Sequence, residues 1–423
     1  MAMCADKITL ISFSFIRGGA AKAACRFYGI ASEFSLAQCV SVEEYPRKFY
    51  RIYHLIKRLV SFSFVFFFQR KCGVKCSANF FSFWPAVFAF SDLKQLAHIH
   101  WINNDVISIF DFKKIPYASI ITLHDEWLYC GVEHYFSPYQ YFEKSPYFSG
   151  NNLDASNHVS FLHKFVWGVK RKAFAGRNDI IVTCPSKWLA ERAKKSHVLK
   201  DCDVRVLYNP IDVSVFSALE NYLLDGSRAL LDLGDRLLIV FGAVGGAKNH
   251  LKGFFELDAA LKLLANNDAV KDKVMLGLFG GEKKGLQELH GFPVYEFGYI
   301  RTEQEMAEVY SLAYMTIVPS RVEAFGQVAA ESQSCGTPVI AFDTSGLRDV
   351  VVDGQTGFLA EAFSPESLAE KIESMILLQD SQYQRLCAGA RSYVVENFSN
   401  DVVAKQYKSI IKEQILKRQE PFK

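Results

Sequence analysis

No stretch of this chain is apolar for long enough to cross a membrane. The longest run, Val60-Ser61-Phe62-Ser63-Phe64-Val65-Phe66-Phe67-Phe68, falls well short of the ~20 residues a spanning helix needs. The first ten residues lack a basic segment followed by an apolar core, so no cleavable signal peptide is expected. The ten cysteines follow no repeating spacing. Without an export signal they read as reduced thiols of a cytoplasmic protein. Cys72 and Cys76 have no second pair to complete a zinc site. No internal repeat, coiled coil or collagenous tract is present. Phe279-Gly280-Gly281-Glu282-Lys283-Lys284-Gly285 lacks the Gly-Lys-Ser/Thr ending of a phosphate-binding P-loop and reads as an ordinary loop after a strand.

What is present is an ordinary globular composition over 423 residues, 50% hydrophobic and 22% charged. That length fits two or three domains. Net charge is +3, but it is unevenly placed. Residues 1–212 carry 27 Lys+Arg and 17 Asp+Glu, 27 − 17 = +10; residues 213–423 carry 21 and 28, 21 − 28 = −7. Between Pro46 and Cys76 stand eight basic residues (Arg47, Lys48, Arg51, Lys57, Arg58, Arg70, Lys71 and Lys75) and no acidic one, interleaved with aromatic and aliphatic side chains. Two readings of this segment are open. One is contact with an anionic membrane surface; the other is a core helix plus a buried strand with solvated charges. No nucleic-acid motif accompanies it.

Short β-branched runs alternate with helical spacing in both halves. Strands are expected at Ile8–Phe15, Ala37–Val42, His98–Trp101, Ser119–Leu123, Ile180–Cys184 and Val204–Leu207. In the second half they are expected at Leu237–Phe241, Val274–Phe279, Val294–Phe297, Met315–Val318 and Pro338–Phe342. Helices are expected at Phe254–Asn266, Glu303–Ala313, Gln327–Ser334, Pro365–Leu378 and Asp401–Leu416. This alternation predicts an α/β chain with two parallel, Rossmann-like sheets. The domains expected are 1–212 and 213–400, divided after Asn209-Pro210, with an irregular stretch running to about Asp235. Open sheets of this kind bind ligands at the carboxyl ends of their strands.

The most informative segment runs from Ser320 to Ser332. Glu323 falls in the loop after a strand. Phe325, Gly326 and Gln327 open a helix, whose free N–H groups suit an anion or a sugar hydroxyl. Glu331 lies two turns on, and a carboxylate takes bidentate hydrogen bonds from vicinal hydroxyls. With Val318-Pro319-Ser320, Cys335-Gly336-Thr337-Pro338 and Thr356-Gly357-Phe358-Leu359, this segment resembles the retaining glycosyltransferases of GT-B fold, family 4 (glycosyl transferases group 1), whose signature is Glu-x7-Glu. His98-Ile99-His100-Trp101 and Thr122-Leu123-His124-Asp125-Glu126-Trp127 resemble the subgroup found in exopolysaccharide and O-antigen synthesis.

The resemblance implies two Rossmann-like domains facing across a cleft. The first would bind the acceptor, the second the nucleotide-sugar, and helix 401–416 would return to the first domain. It implies a UDP- or GDP-sugar donor and a polyprenyl-diphosphate-linked oligosaccharide acceptor. No metal or other cofactor and no nucleic acid are expected. The enzyme would sit at the inner face of the cytoplasmic membrane, held through 46–76. His124 and Glu323 would act at the reaction centre. Gly18 and Gly19, Lys252, Phe325, Gly326, Gln327 and Glu331 would bind the donor. The family's arginine after the first strand of the second domain is replaced by Gly242-Ala243, and Lys248 is the candidate substitute. His98, His100 and His134 read as core or supporting residues. A catalytically silent carbohydrate- or membrane-binding protein, or a nucleotide-sugar epimerase on the same fold, are the alternative readings.

Overall fold

The computed structural model describes residues 7–68, 74–91, 95–136, 161–219, 221–242, 250–282 and 284–419. The chain forms two compact units, Met1–Tyr208 with Ala404–Lys423, and Asn209–Val403.

In the first unit, six strands form one parallel sheet. They are β1 (Lys7–Ser12), β2 (Ala37–Ser41), β3 (Gln95–Ile99), β4 (Ile120–Thr122), β5 (Ile181–Cys184) and β6 (Asp203–Val206), in the spatial order β2-β1-β3-β4-β5-β6. The central strands are apolar and buried on both faces because helices cover both sides: β4 reads Ile-Ile-Thr and β5 Ile-Val-Thr-Cys, with every residue buried. The crossovers include α1 (Gly19–Ser32), α2 (Lys48–Phe68), α3 (Trp84–Phe88), α4 (Phe161–Phe174) and α5 (Lys187–Lys195). Strand order reverses between β1 and β3, so the loops leaving these strands flank the topological switch point, where open α/β sheets bind ligands.

In the segment read as either a membrane-contacting stretch or a core helix plus buried strand, Lys48–Phe68 form one helix, α2. Among the described residues of the segment no strand is present beyond a single bridge at Cys76, and the face of the helix is inverted. His54, Ser61 and Val65 are buried, while Phe49, Phe62, Phe66 and Phe67 are each at least 66% exposed. The polar pair on the inner face is satisfied by the protein. His54 donates from Nε2 to the Asn104 carbonyl at 2.9 Å, and the Ser61 hydroxyl donates to Asp105 at 2.8 Å. Arg70 and Lys71 lie outside the described residues.

The second unit opens with α6 (Asn221–Leu230), where an irregular stretch is expected from sequence. Leu224 is buried, and Ser227 bonds Glu308, so the helix is held by partners distant in sequence. Seven strands follow: β7 (Leu237–Gly242), β8 (Val274–Phe279), β9 (Gly285–Leu289), β10 (Phe292–Gly298), β11 (Met315–Val318), β12 (Val339–Phe342) and β13 (Gly357–Ala360). Their order is β13-β12-β11-β7-β8-β10-β9, all parallel except β9, which pairs antiparallel with β10. Ile239, Phe241, Leu276, Met315, Ile317 and Ile340 form the core of this sheet. They pack against Leu257 and Leu261 of α7 (Phe254–Leu264) and Leu368 and Ile372 of α12 (Pro365–Ile376). Between these helices lie α8 (Asp268–Lys271), α9 (Glu303–Leu312), α10 (Gln327–Ser334) and α11 (Leu347–Val350); α13 (Asp380–Phe398) follows. The switch point of this sheet lies between β7 and β11, so the segments after these two strands define its ligand-binding edge.

The last helix, α14 (Asn400–Gln419), begins in the second unit and ends in the first. Gln414 donates to the carbonyls of Ser119 and Asp179, and Glu413 takes both guanidinium nitrogens of Arg205.

Candidate functional site

In the second unit, Lys252 ends a short 3-10 turn, His250–Lys252, that precedes α7. Gly253 follows in a left-handed conformation with φ 66°, and any side chain there would collide with the Pro319 carbonyl. Arg321 donates its backbone N–H to the Leu251 carbonyl at 2.9 Å. These two close approaches draw the turn against the end of β11. As a result the Lys252 ammonium meets the Glu323 carboxylate at 2.5 Å.

Glu323 is fixed from several sides. Its carboxylate also accepts from the Ser320 hydroxyl at 2.9 Å. Its backbone N–H donates to the Ser345 hydroxyl, and its carbonyl accepts from Gly346 N–H, both at 2.9 Å. Three residues on, Gly326 caps α10 with φ 110°, and a Cβ there would press on Leu347 at 2.8 Å. The first bond inside that helix runs from Ala330 N–H to the Gly326 carbonyl. The N–H groups of Gln327, Val328 and Ala329 therefore stand at its open end. Glu331 is 2% exposed and accepts from the Gln327 amide at 3.1 Å. The Phe325 ring is 2% exposed and packs edge-on to Phe398, which leaves its backbone, not its ring, for a ligand. A cation, a carboxylate and a helix N-terminus together suit an anionic group that carries hydroxyls. Lys248 lies outside the described residues.

Arg321, inside the motif but not singled out from sequence, pairs with the buried Glu256 of α7. Ser320 lies within the motif, but its role in holding Glu323 is not marked there. Ser345 is new, and nothing in its local pattern marks it, since it meets Glu323 only through the fold.

In the first unit, Gly18 caps α1 with φ 94° and Gly19 begins the helix, at the switch point after β1. His124 follows β4. Its Nε2 lies 3.1 Å from His100 Nδ1, and the other nitrogen of His100 is buried without a partner. A buried lone pair costs less than a buried orphaned N–H. His100 therefore carries its proton on Nδ1 and donates it, which puts the proton of neutral His124 on its own Nδ1. Burial pushes His124 down to about 4, and burial with His124 nearby pushes His98 to about 3, so these rings are neutral near pH 7. His98 bridges Tyr407 of α14 at 2.6 Å and Thr122 at 2.8 Å. Among the described residues, no group of three or more His, Cys, Asp or Glu side chains is placed to hold a metal ion.

The loop after His124 is pinned by buried polar groups. Asp125 accepts from His134 at 2.6 Å and from the Trp101 indole at 2.9 Å, and burial is outweighed, so its carboxyl is held below the usual range. Lys170 of α4 donates to the carbonyls of Trp127, Cys130 and Gly131 at 2.5, 3.2 and 2.7 Å. Burial pushes its ammonium down to about 7, against the opposing pull of Cys130, Glu133 and Asp125. An unfolded lysine keeps its proton to about pH 10.4. Between the two values the unfolded chain binds more protons, so this residue makes stability rise with pH. Relative to Lys170→Met, the wild type should gain stability between pH 7 and about pH 9.5. Urea midpoints at both values check this; parallel behaviour of the two proteins would refute it.

Residues 236–416, which take in most of the second unit and part of the last helix, match the family described as Glycosyl transferases group 1. The chain is similar to D-inositol 3-phosphate glycosyltransferases. It is 31% identical over 205 residues to that of Nocardiopsis dassonvillei, covering 44% of this chain and 45% of the relative. It is 32% identical over 223 residues to that of Thermomonospora curvata, covering 48% and 50%. The chain thus spans about half the length of the curated relatives it matches. Among solved structures it resembles sucrose-phosphate synthase from Thermosynechococcus elongatus, with TM-score 0.63, 17% identity and coverage of 97% and 100%. It also resembles Anabaena Alr3699/HepE in complex with UDP and glucose, with TM-score 0.60, 15% identity and coverage of 96% and 99%. The fold is therefore GT-B, an α/β architecture of two Rossmann-like domains.

Proposed function

We propose that this chain is a retaining glycosyltransferase that moves a sugar from a UDP- or GDP-sugar to a glycan. The observation that carries this reading is the Lys252–Glu323 pair beside the N-terminus of α10, at the switch point of the domain that matches glycosyl transferases group 1. The UDP and glucose held by the Anabaena structure support the donor class.

Breaking a nucleotide–sugar bond leaves charge on the diphosphate as the sugar becomes cationic. Lys252 and the N–H groups of Gln327 to Ala329 would stabilise that charge. Glu331 would take the ribose hydroxyls, and Gly18 and Gly19 would border the donor phosphates. Glu323 would bind sugar hydroxyls and orient the donor, not attack it. The departing phosphate would take the acceptor's proton. His124, with its proton on Nδ1, would support the transferring sugar. Proton NMR of the first product formed tests this: the anomeric coupling of the donor should persist, and inversion would contradict it.

The acceptor we propose is a polyprenyl-diphosphate-linked oligosaccharide of bacterial O-antigen, capsule or exopolysaccharide synthesis. The enzyme would then work at the inner face of the cytoplasmic membrane. No helix among the described residues is long and apolar enough to cross a membrane. The inverted α2 supports surface attachment instead, with its bare phenylalanines next to Arg47, Lys48 and Arg51. Vesicles containing anionic lipid should carry the protein upward in a density gradient, and Phe62→Ser/Phe66→Ser should leave it at the bottom. Equal flotation of the two would remove this assignment.

A further inference from the structure

Two adjoining cavities lie along α2 in the first unit. One, of about 380 Å³, sits at the carboxyl end of β2 and is lined by Glu43, Lys48, Arg51, His54, Leu55 and Arg58. The other, of about 300 Å³, shares Leu55 and Arg58 and continues past Leu59, Phe62 and Val65. Together they make a groove with a cationic mouth, an apolar wall along α2 and a polar wall that carries Ser77, Asn79, Asn104 and Asp105.

The charges at the mouth are only partly offset inside the protein, where Asp105 and Glu43 both act on Arg58. Among the described residues, Lys48, Arg51 and Arg58 form no ion pair, and Glu43 is the single carboxylate on that cavity wall. Arg58 is held in place by the Phe13 ring, 5.0 Å from its guanidinium. His54 is 2% exposed on the same wall, and its Nδ1 is buried without a partner while its Nε2 donates to Asn104. The apolar end continues the row of exposed side chains at Leu55, Leu59 and Phe62, each more than half exposed.

We infer that this groove holds a single phosphorylated lipid. Its diphosphate sits among Lys48, Arg51 and Arg58, and its hydrocarbon chain lies along Leu55, Leu59, Phe62 and Val65. Charge and shape argue together. Three cations against two carboxylates, Glu43 at the mouth and Asp105 further along, leave the groove net positive, which selects an anion. A bare apolar track leading from them selects a chain attached to that anion. Free phosphate would use only the mouth. The inference rests on the reading of the chain as a transferase with a lipid-linked acceptor, and it assigns residues to that acceptor's anchor.

The experiment is calorimetric titration of the full chain with three soluble probes: farnesyl diphosphate, inorganic pyrophosphate and dioctanoyl phosphatidylglycerol. Farnesyl diphosphate should bind at least about tenfold more tightly than either of the others. Lys48→Gln/Arg51→Gln should weaken it by roughly tenfold or more. Leu59→Ser should weaken farnesyl diphosphate and leave pyrophosphate unchanged. All three side chains are exposed, so these variants fold. Equal binding of pyrophosphate would reduce the groove to a phosphate site and overturn the proposal. Equal binding of phosphatidylglycerol would reduce it to a general anionic-lipid surface, and unchanged binding by the variants would place the ligand elsewhere. Binding is read here without turnover. A chain that takes the farnesyl probe but transfers no sugar would sink the transferase reading alone, and a chain that transfers sugar but ignores the probe would sink this one alone.

Discussion

Lys252→Met should lower kcat/KM for the sugar donor by about a hundredfold to a thousandfold, the usual cost of removing one charge-stabilising group. Glu323→Gln should fall in the same range, chiefly in kcat. The two side chains meet at 2.5 Å and are 33% and 20% exposed. A pair so open to solvent contributes at most about 1 kcal/mol to folding, so thermal midpoints should barely move. That separation of activity from stability identifies a working pair. The double variant should cost less than the sum of the singles, because removing either partner already disturbs the other. Steady-state kinetics of the two singles and the double check all three points. Near-normal turnover by either single variant would mean that this pair is an ordinary surface contact.

Arg192→Ala should do the opposite: destabilise the first unit without touching the second. The Glu126 carboxylate is fully buried and accepts from Arg192 at 2.6 Å, from the Tyr129 hydroxyl at 2.8 Å and from Phe136 N–H at 2.9 Å. Removing the guanidinium leaves a buried anion with no cation against it, a loss of about 3 kcal/mol. Glu126→Gln on top of Arg192→Ala should recover part of that loss, since a neutral amide carries no uncompensated charge. Urea denaturation measures both. The consequence reaches function through position, because Glu126 lies two residues after His124 and anchors the loop that leaves β4.

The strands most legible in the sequence are those covered on both faces. Val274–Phe279 and Met315–Val318 are continuous apolar runs, and they are whole strands in the structure. β9 escaped because it is an edge strand whose middle residues, Leu286, Gln287 and Glu288, face solvent; no buried run marks it. β13, at the other edge, is four residues long and opens on Gly357. In α2, composition shows that the segment is apolar but not which way it faces. The inner side is chosen by Asn104 and Asp105, about fifty residues further along the chain.

The same rule governs the candidate site. Glu323, Gly326, Gln327 and Glu331 lie on one strand–loop–helix unit, so their placement follows from local pattern. Ser345, Arg192 and Lys170 act on partners that only the folded sheet brings near, and no spacing announces them.

The donor site is the centre of this account, and ligand-induced thermal stabilisation by UDP, GDP, ADP and CMP tests it most directly. A ligand at a hundred times its Kd adds about 2.7 kcal/mol of stability. One of UDP and GDP should raise the unfolding midpoint selectively, and Lys252→Met should abolish the rise. A midpoint unmoved by all four nucleotides would contradict the account, because the second unit would then hold no nucleotide at the pair formed by Lys252 and Glu323.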